Sequence, residues 1–133
     1  MKSLATKSII LRRIDYGEAD RIITFLTSDY GKMMVIAKGV RKSKSKMAGG
    51  IELFSVSEIH FIKGRGDIST LTSTRLIKNY GNIVKDLDRT ETAYNMLKII
   101  DKIVEDSAGS DYFPLLNEGL AALDNPKVGL RLA

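Results

Sequence analysis

The spacing of apolar and polar positions along this chain of 133 residues changes its period once, near Gly81. Before that point short β-branched and aromatic runs alternate with turn chemistry, the pattern of an all-β segment. Ile9, Ile10 and Leu11 lie between polar neighbours in a strand over 5–13, and Asp15-Tyr16-Gly17 marks a turn. Arg21 to Thr27 is a second strand, joined by Asp29-Tyr30-Gly31-Lys32 to Met33–Ala37, so these two form a hairpin. Ile51 to Ile62 is a long strand whose alternation slips near Leu53-Phe54, as a bulge that bends a strand produces. Gly64-Arg65-Gly66-Asp67 then reverses the chain into Ile68–Lys78. Five such strands fit a small closed barrel, and the five-stranded oligonucleotide-binding (OB-fold) barrel is the commonest solution; an SH3-like barrel gives a similar pattern.

After Gly81, Ala93, Leu97, Ile100 and Val104, reinforced by Met96 and Ile103, draw one apolar stripe on a helix. Asp88 or Thr90 caps its start and Gly109 ends it. A second helix opens at Ser110 or Asp111, takes Pro114 in its first turn and carries Leu115, Leu116, Leu120 and Leu123 to a stop at Asn125-Pro126. Two helices on so short a link cannot bury both stripes against each other; they need the barrel or further helices. The closing K-V-G-L-R-L-A reads as the start of another element. The expectation is therefore a barrel over residues 1–80 followed by a helical domain over 81–133 that is cut short.

Charge follows the same division. Residues 1–80 hold 15 Lys/Arg against 7 Asp/Glu, a net of +8, while residues 81–133 hold 6 against 9, a net of −3, which together make the +5 of the chain. Basic character thus belongs to the barrel. Between Asp29 and Glu52 no acidic residue occurs, and Lys32, Lys38, Arg41, Lys42, Lys44 and Lys46 fall inside this interval, most of them in K-G-V-R-K-S-K-S-K. A charge run is usually a solvated face. The exclusion of acid, with Ser43, Ser45, Gly49 and Gly50 leaving backbone donors open, points instead to phosphate contact. Lys63 and Arg65, at the Gly64/Gly66 hairpin, extend that footprint or form an ordinary polar turn.

Aromatic platforms for base stacking are scarce. Phe25, Phe54 and Phe61 sit inside apolar runs and belong to the core, and Tyr16 and Tyr30 flank turns. Phosphate contact without stacking selects weakly for sequence. The absence of cysteine and the single histidine, His60, exclude a disulfide framework, a thiolate zinc site and an imidazole cluster. No nucleophile, base and oxyanion arrangement can be named, so the expectation is a protein that is not an enzyme and needs no cofactor or metal. Asp15, Glu18 and Asp20 turn the chain and pair with Arg12, Arg13 or Arg21. The apolar stretch near the N-terminus is too short for a membrane span, and a reducing, cytoplasmic setting is expected.

Several runs resemble the opening of the bacterial DNA repair protein RecO family. They are Tyr16-Gly17-Glu18, Asp20-Arg21, Thr27 with Gly31-Lys32, and Ala37-Lys38-Gly39-Val40-Arg41 before the K/S-rich loop. The resemblance continues through L-F-S-V-S-E-I-H-F-I-K-G-R-G-D and, more loosely, across the helices. It implies an oligonucleotide-binding barrel plus a helical domain in a nucleoid-associated, non-catalytic recombination mediator. Such a protein binds single- and double-stranded DNA, anneals strands and, with RecR, helps RecA replace single-strand-binding protein. The DNA contacts it implies are Lys38, Arg41, Lys42 and the lysines beyond. The family usually runs longer and often carries a four-cysteine zinc site; this chain has no cysteine. A protein-recruiting scaffold, and a general single-strand nucleic-acid-binding OB-fold protein, are the alternative readings.

Overall fold

Apolar runs with no alternation need burial on both sides, and Ile9-Ile10-Leu11 finds it. In the computed structural model, which describes residues 2–42 and 51–129, this run lies in the first strand, β1 (Ser3–Tyr16). Ile10 points into the barrel with Ile23, Phe25, Val35, Ile59 and Phe61, whereas Ile9 and Leu11 face the helices with Leu26, Leu97, Leu116 and Leu120. Four further strands follow: β2 (Asp20–Thr27), β3 (Gly31–Ala37), β4 (Ser55–Ile62) and β5 (Ile68–Asn79). Hydrogen bonds close them into a ring in the order β1-β2-β3-β5-β4. All pairs are antiparallel except β3 with β5, which run parallel from Met34 and Ile68 to Ile36 and Thr70.

The fourth strand differs from the expected one. Residues 51–54 are not strand: Phe54 sits at φ 59° immediately before β4, and Ile51 is buried in the barrel interior. The slip in alternation marks a left-handed residue at the strand entrance, which turns the Phe54 ring out of the barrel and against the helices. The register shifts instead fall between Ile10 and Arg12 in β1, and between β4 and β5 at Val56/Ser57 and His60/Phe61. Such extra residues increase local twist and let long strands close a small barrel.

A short 3₁₀ turn (Ile83–Lys85) leads into helix α1 (Leu87–Ile103), and α2 (Tyr112–Asp124) follows. The cap of α1 is Asp86, whose side chain accepts from the Asp88 N–H, rather than Asp88 or Thr90. The helix ends at Val104, five residues before Gly109. Thr90 is already inside the first turn, where its hydroxyl donates to the carbonyls of Ile83 and Asp86. The helical stripes pack on the outside of the barrel, so one core cluster runs from Ile9, Leu26 and Val56 through Tyr80 and Ile83 to Ala93, Leu97, Leu120 and Leu123. Ile103 and Leu115, expected in the stripes, are 55% and 61% exposed because each lies off the line that meets the barrel. Burial, with the Asp124 charge adding to it, raises the Tyr80 hydroxyl above the ordinary tyrosine value, and that hydroxyl donates to Asn117.

Candidate nucleic-acid interface

The β3 strand carries the start of the basic segment, and its two ends are built differently. At its beginning, Thr27 Oγ1 donates to the Gly31 carbonyl at 2.8 Å and accepts from the Tyr30 N–H at 2.9 Å, which fixes the β2–β3 turn. Gly31 has φ 70°, and a Cβ there would lie 2.3 Å from the Ala108 carbonyl oxygen. The close approach lets the Lys32 N–H donate to Ala108 and the Ser107 N–H donate to Lys32, both at 2.8 Å, stitching the barrel to the α1–α2 connection. Lys32 then turns its ammonium under α1. It meets Asp101 Oδ1 at 2.7 Å and donates to the carbonyls of Asp101 (2.7 Å) and Val104 (3.3 Å), with only 12% of the side chain exposed. Arg12 pairs with the other oxygen of the same carboxylate at 3.0 Å. Burial pushes the Asp101 carboxyl up, but the hydrogen bonds and charges of Lys32 and Arg12 outweigh it and hold the group below the usual carboxylate range.

At the far end of β3 a second cluster interlocks. Asp20 Oδ1 accepts from the Gly39 N–H at 2.7 Å, and Arg41 donates to the carbonyl of Asp20 at 3.1 Å and to those of Tyr16 and Gly17. Asp15 sits 3.6 Å from Arg41 and accepts from Arg21 at 3.0 Å, the partner expected among Arg12, Arg13 and Arg21. The guanidinium fork of Arg41 therefore clamps the β1–β2 turn to the chain leaving β3, and its side chain is 24% exposed. Lys38 and Lys42 flank this clamp, are exposed, and make no ion pair among the described residues. Each adjoins a residue held by this cluster, Lys38 beside Gly39 and Lys42 beside Arg41. Lys44 and Lys46 lie outside the described residues.

Lys63 and Arg65 are exposed on the β4–β5 connection. Register sets that connection beside the beginning of β3, since Ile68 pairs with Met34, so these two cations are at the opposite end of the strand from Lys38. Lys63 borders a cavity of about 490 Å³ that also takes in Asp29, Asp67 and Asp106, a mixed-charge rim rather than a cationic one. The eight expected positions thus divide. Lys38 and Lys42 share one site, Lys63 and Arg65 sit elsewhere, and Lys32 and Arg41 have their charges engaged within the fold.

Aromatic rings follow the expected division. Phe25, Phe54 and Phe61 are at most 2% exposed, and Tyr30 packs edge-on against Phe61 at 5.5 Å. Beside Lys38 the register places Ile14 opposite Ile22 and Ile22 opposite Ile36, and Tyr16, two residues on from Ile14 and opposite Asp20, is 55% exposed at the same end. His60 is half-buried in β4, and no group of three His, Asp or Glu residues among those described could hold a metal. No described helix is long and apolar enough to cross a membrane.

Sequence pattern did not single out Arg12, Arg13 or Lys98, which the fold brings together. Leu11 is the extra residue of the β1 bulge, so the adjacent Leu11 and Arg12 both face α1, and Lys98 of the acidic half of the chain comes alongside. The one trace in the sequence is an apolar run that buries both faces and passes directly into R-R.

A closed five-stranded barrel joined to a helical pair through a shared core, with Lys38 and Lys42 exposed at one end of β3 and Lys63 and Arg65 at the other, defines the class: a small β-barrel protein with a basic surface. Residues 1–80 match the family described as "Recombination protein O N terminal", and the chain belongs to that family. It is 34% identical over 119 residues to the "DNA repair protein RecO" of Heliobacterium modesticaldum, a match that covers 90% of this chain and 43% of that protein. The protein of the same name from Dehalococcoides mccartyi is 39% identical over 121 residues, with 90% and 47% covered, and that of Desulfatibacillum aliphaticivorans 36% over 131 residues, with 96% and 51% covered. The chain spans about half the length of the curated relatives it matches.

Proposed function

We propose that the chain is a DNA-binding recombination mediator of DNA repair, in which an oligonucleotide-binding barrel over residues 1–80 holds strands by their phosphates. The observation that carries this reading is the pair Lys38 and Lys42, exposed and unpaired among the described residues, on a base that Arg41 and Asp20 make rigid. Cations held outward without carboxylate partners give up condensed counterions when a polyanion binds, which makes affinity depend on salt rather than on base identity. Lys44 and Lys46 continue the same acid-free segment. Phosphate contacts serve single and double strands alike, so both are substrates, and holding two strands on one basic surface promotes their annealing. Residues 81–133 carry the helical region; RecR, and through it RecA loading, is the partner the family resemblance implies, with single-strand-binding protein a further one. The setting is cytoplasmic and nucleoid-associated.

The test is titration of a fluorescein-labelled dT strand over a salt series. Four lysine contacts give a log-log slope near about −3, at roughly −0.7 per contact. In Lys38→Ala with Lys42→Ala the slope falls by about 1.4 while the thermal transition is unchanged. Affinity that ignores salt would sink the reading. Loop variants that keep both affinity and slope would instead favour a scaffold that recruits protein.

A further inference from the structure

The basic segment that leaves β3 at Lys38 returns to the barrel at Ile51, and the Ile51 carbonyl accepts from Arg13 Nη1 at 3.0 Å. Arg13 is at the same time a wall of a groove of about 340 Å³ between β1 and α1. This groove therefore begins where the basic segment ends. Its rim carries Arg12, Arg13 and Lys98, and its one carboxylate, Asp101, is already matched by Arg12 at 3.0 Å and by Lys32 at 2.7 Å. Net charge along the groove is positive. Lys98 is exposed with no ion pair among the described residues, and half of the Arg12 side chain, 46%, is open to solvent.

The groove also contains a ring of its own. Tyr94, on α1, is 41% exposed, and its ring is held in place by an edge-to-face contact with the buried Phe54 at 5.2 Å. A fixed, partly open aromatic beside the unpaired Lys98 and the half-exposed Arg12 is the combination that single-stranded nucleic acid requires, phosphates on the cations and a base on the ring. Duplex recognition has no use for a stacking ring, since paired bases keep their faces covered.

We propose that the β1–α1 groove is a second segment of the nucleic-acid path, specific for single strands, in which Lys98 and Arg12 hold phosphates and Tyr94 stacks a base. The proposal rests on the reading of the barrel as a nucleic-acid-binding one and adds to it a site across the barrel–helix junction. Lys98, which its acidic sequence neighbourhood would assign to an inert surface, becomes a contact.

The experiment measures fluorescence anisotropy of a labelled dT 20-mer, and of the same strand in a hairpin duplex, for the full chain and four variants over a salt series. Tyr94→Leu should lower single-strand affinity on the order of tenfold at unchanged salt slope, and Tyr94→Phe should retain it, because stacking needs the ring and not the hydroxyl. Lys98→Ala should weaken binding a few-fold and flatten the slope by about 0.7. Duplex binding should respond to Lys38→Ala with Lys42→Ala but not to Tyr94→Leu. Lys98 is exposed, so its variant keeps the fold and reports on the groove even if the loss of the Tyr94–Phe54 contact destabilises Tyr94→Leu. Parent-like affinity and slope in both Tyr94→Leu and Lys98→Ala, alongside a weakened loop variant, would overturn the groove while leaving the barrel reading in place. A parent chain with no salt-dependent binding would overturn both. An Asp-rich peptide that binds the parent, is lost in both groove variants and does not displace the 20-mer would overturn the proposal by making the groove a protein-docking face.

Discussion

Lys32 and Lys38 stand at the two ends of one seven-residue strand, in one acid-free stretch, and the fold uses them in opposite ways. The first is 12% exposed and ends on Asp101 and two helix carbonyls. The second is exposed, outside the strand, with no ion pair among the described residues. The difference arises from what each end of β3 meets. Its start runs against the α1–α2 connection, where any ammonium must be paired to be buried; beyond its end Lys38 and Lys42 are exposed on either side of the Arg41 clamp. Counting cations in the sequence therefore measures the field of the region and not the charge available to a ligand.

Gly31→Ala should break the first end most severely. A left-handed backbone costs a side chain about 1–2 kcal/mol, and the overlap with the Ala108 carbonyl adds a comparable amount because backbone cannot rotate away, about 3 kcal/mol in total by urea unfolding. Gly17 provides the control: its φ is 60° but nothing lies within 4 Å of an added Cβ, so Gly17→Ala should cost only about 1 kcal/mol. Equal losses at the two positions would show that the stitch to Ala108 contributes nothing.

Asp101→Asn comes next, with an expected loss of about 2 kcal/mol at pH 7. That is less than for a fully buried pair, because Lys32 and Asp101 keep 12% and 19% exposure. The Asp101 carboxyl lies below its ordinary value in the folded chain. Its contribution is then fully present above the unfolded carboxylate value, near about 3.9, and is lost as pH falls through the lower folded one. Urea melts of parent and variant should differ at neutral pH and converge in the acid limb; a gap constant down to about pH 2 would contradict the pairing.

At the other end, Arg41→Ala should cost about 1–2 kcal/mol through its lost hydrogen bonds to Asp20, Tyr16 and Gly17, and Arg41→Lys should recover little, since an ammonium cannot span several acceptors as the fork does. Full recovery in the lysine variant would reduce Arg41 to a point charge. The smallest stability effect belongs to Lys38→Ala with Lys42→Ala, within about 0.5 kcal/mol by thermal melting, which separates this end from the Lys32 end by stability alone.

Five strands, the hairpin over Arg21–Ala37, the change of period near Gly81 and the opening of α2 at Asp111 were all readable in the amino-acid order, because strand and helix periods and turn chemistry are local properties. So were the core phenylalanines. The acid-free segment was readable as a region, since it needs only a count. Which of its cations are free was not: Lys32 is engaged by Asp101, sixty-nine residues away, and Arg41 by carbonyls of a turn twenty-one and more residues earlier. Nor was the meeting of Arg12, Arg13 and Lys98, which depends on a one-residue bulge in β1 and on a helix docked against that strand. A bulge changes which face a residue takes without changing residue type, and helix docking sums many weak apolar contacts over distant segments. Local pattern therefore sets the elements and the sign of the field, while closure of the barrel and the seating of α1 decide which charges stay open to solvent.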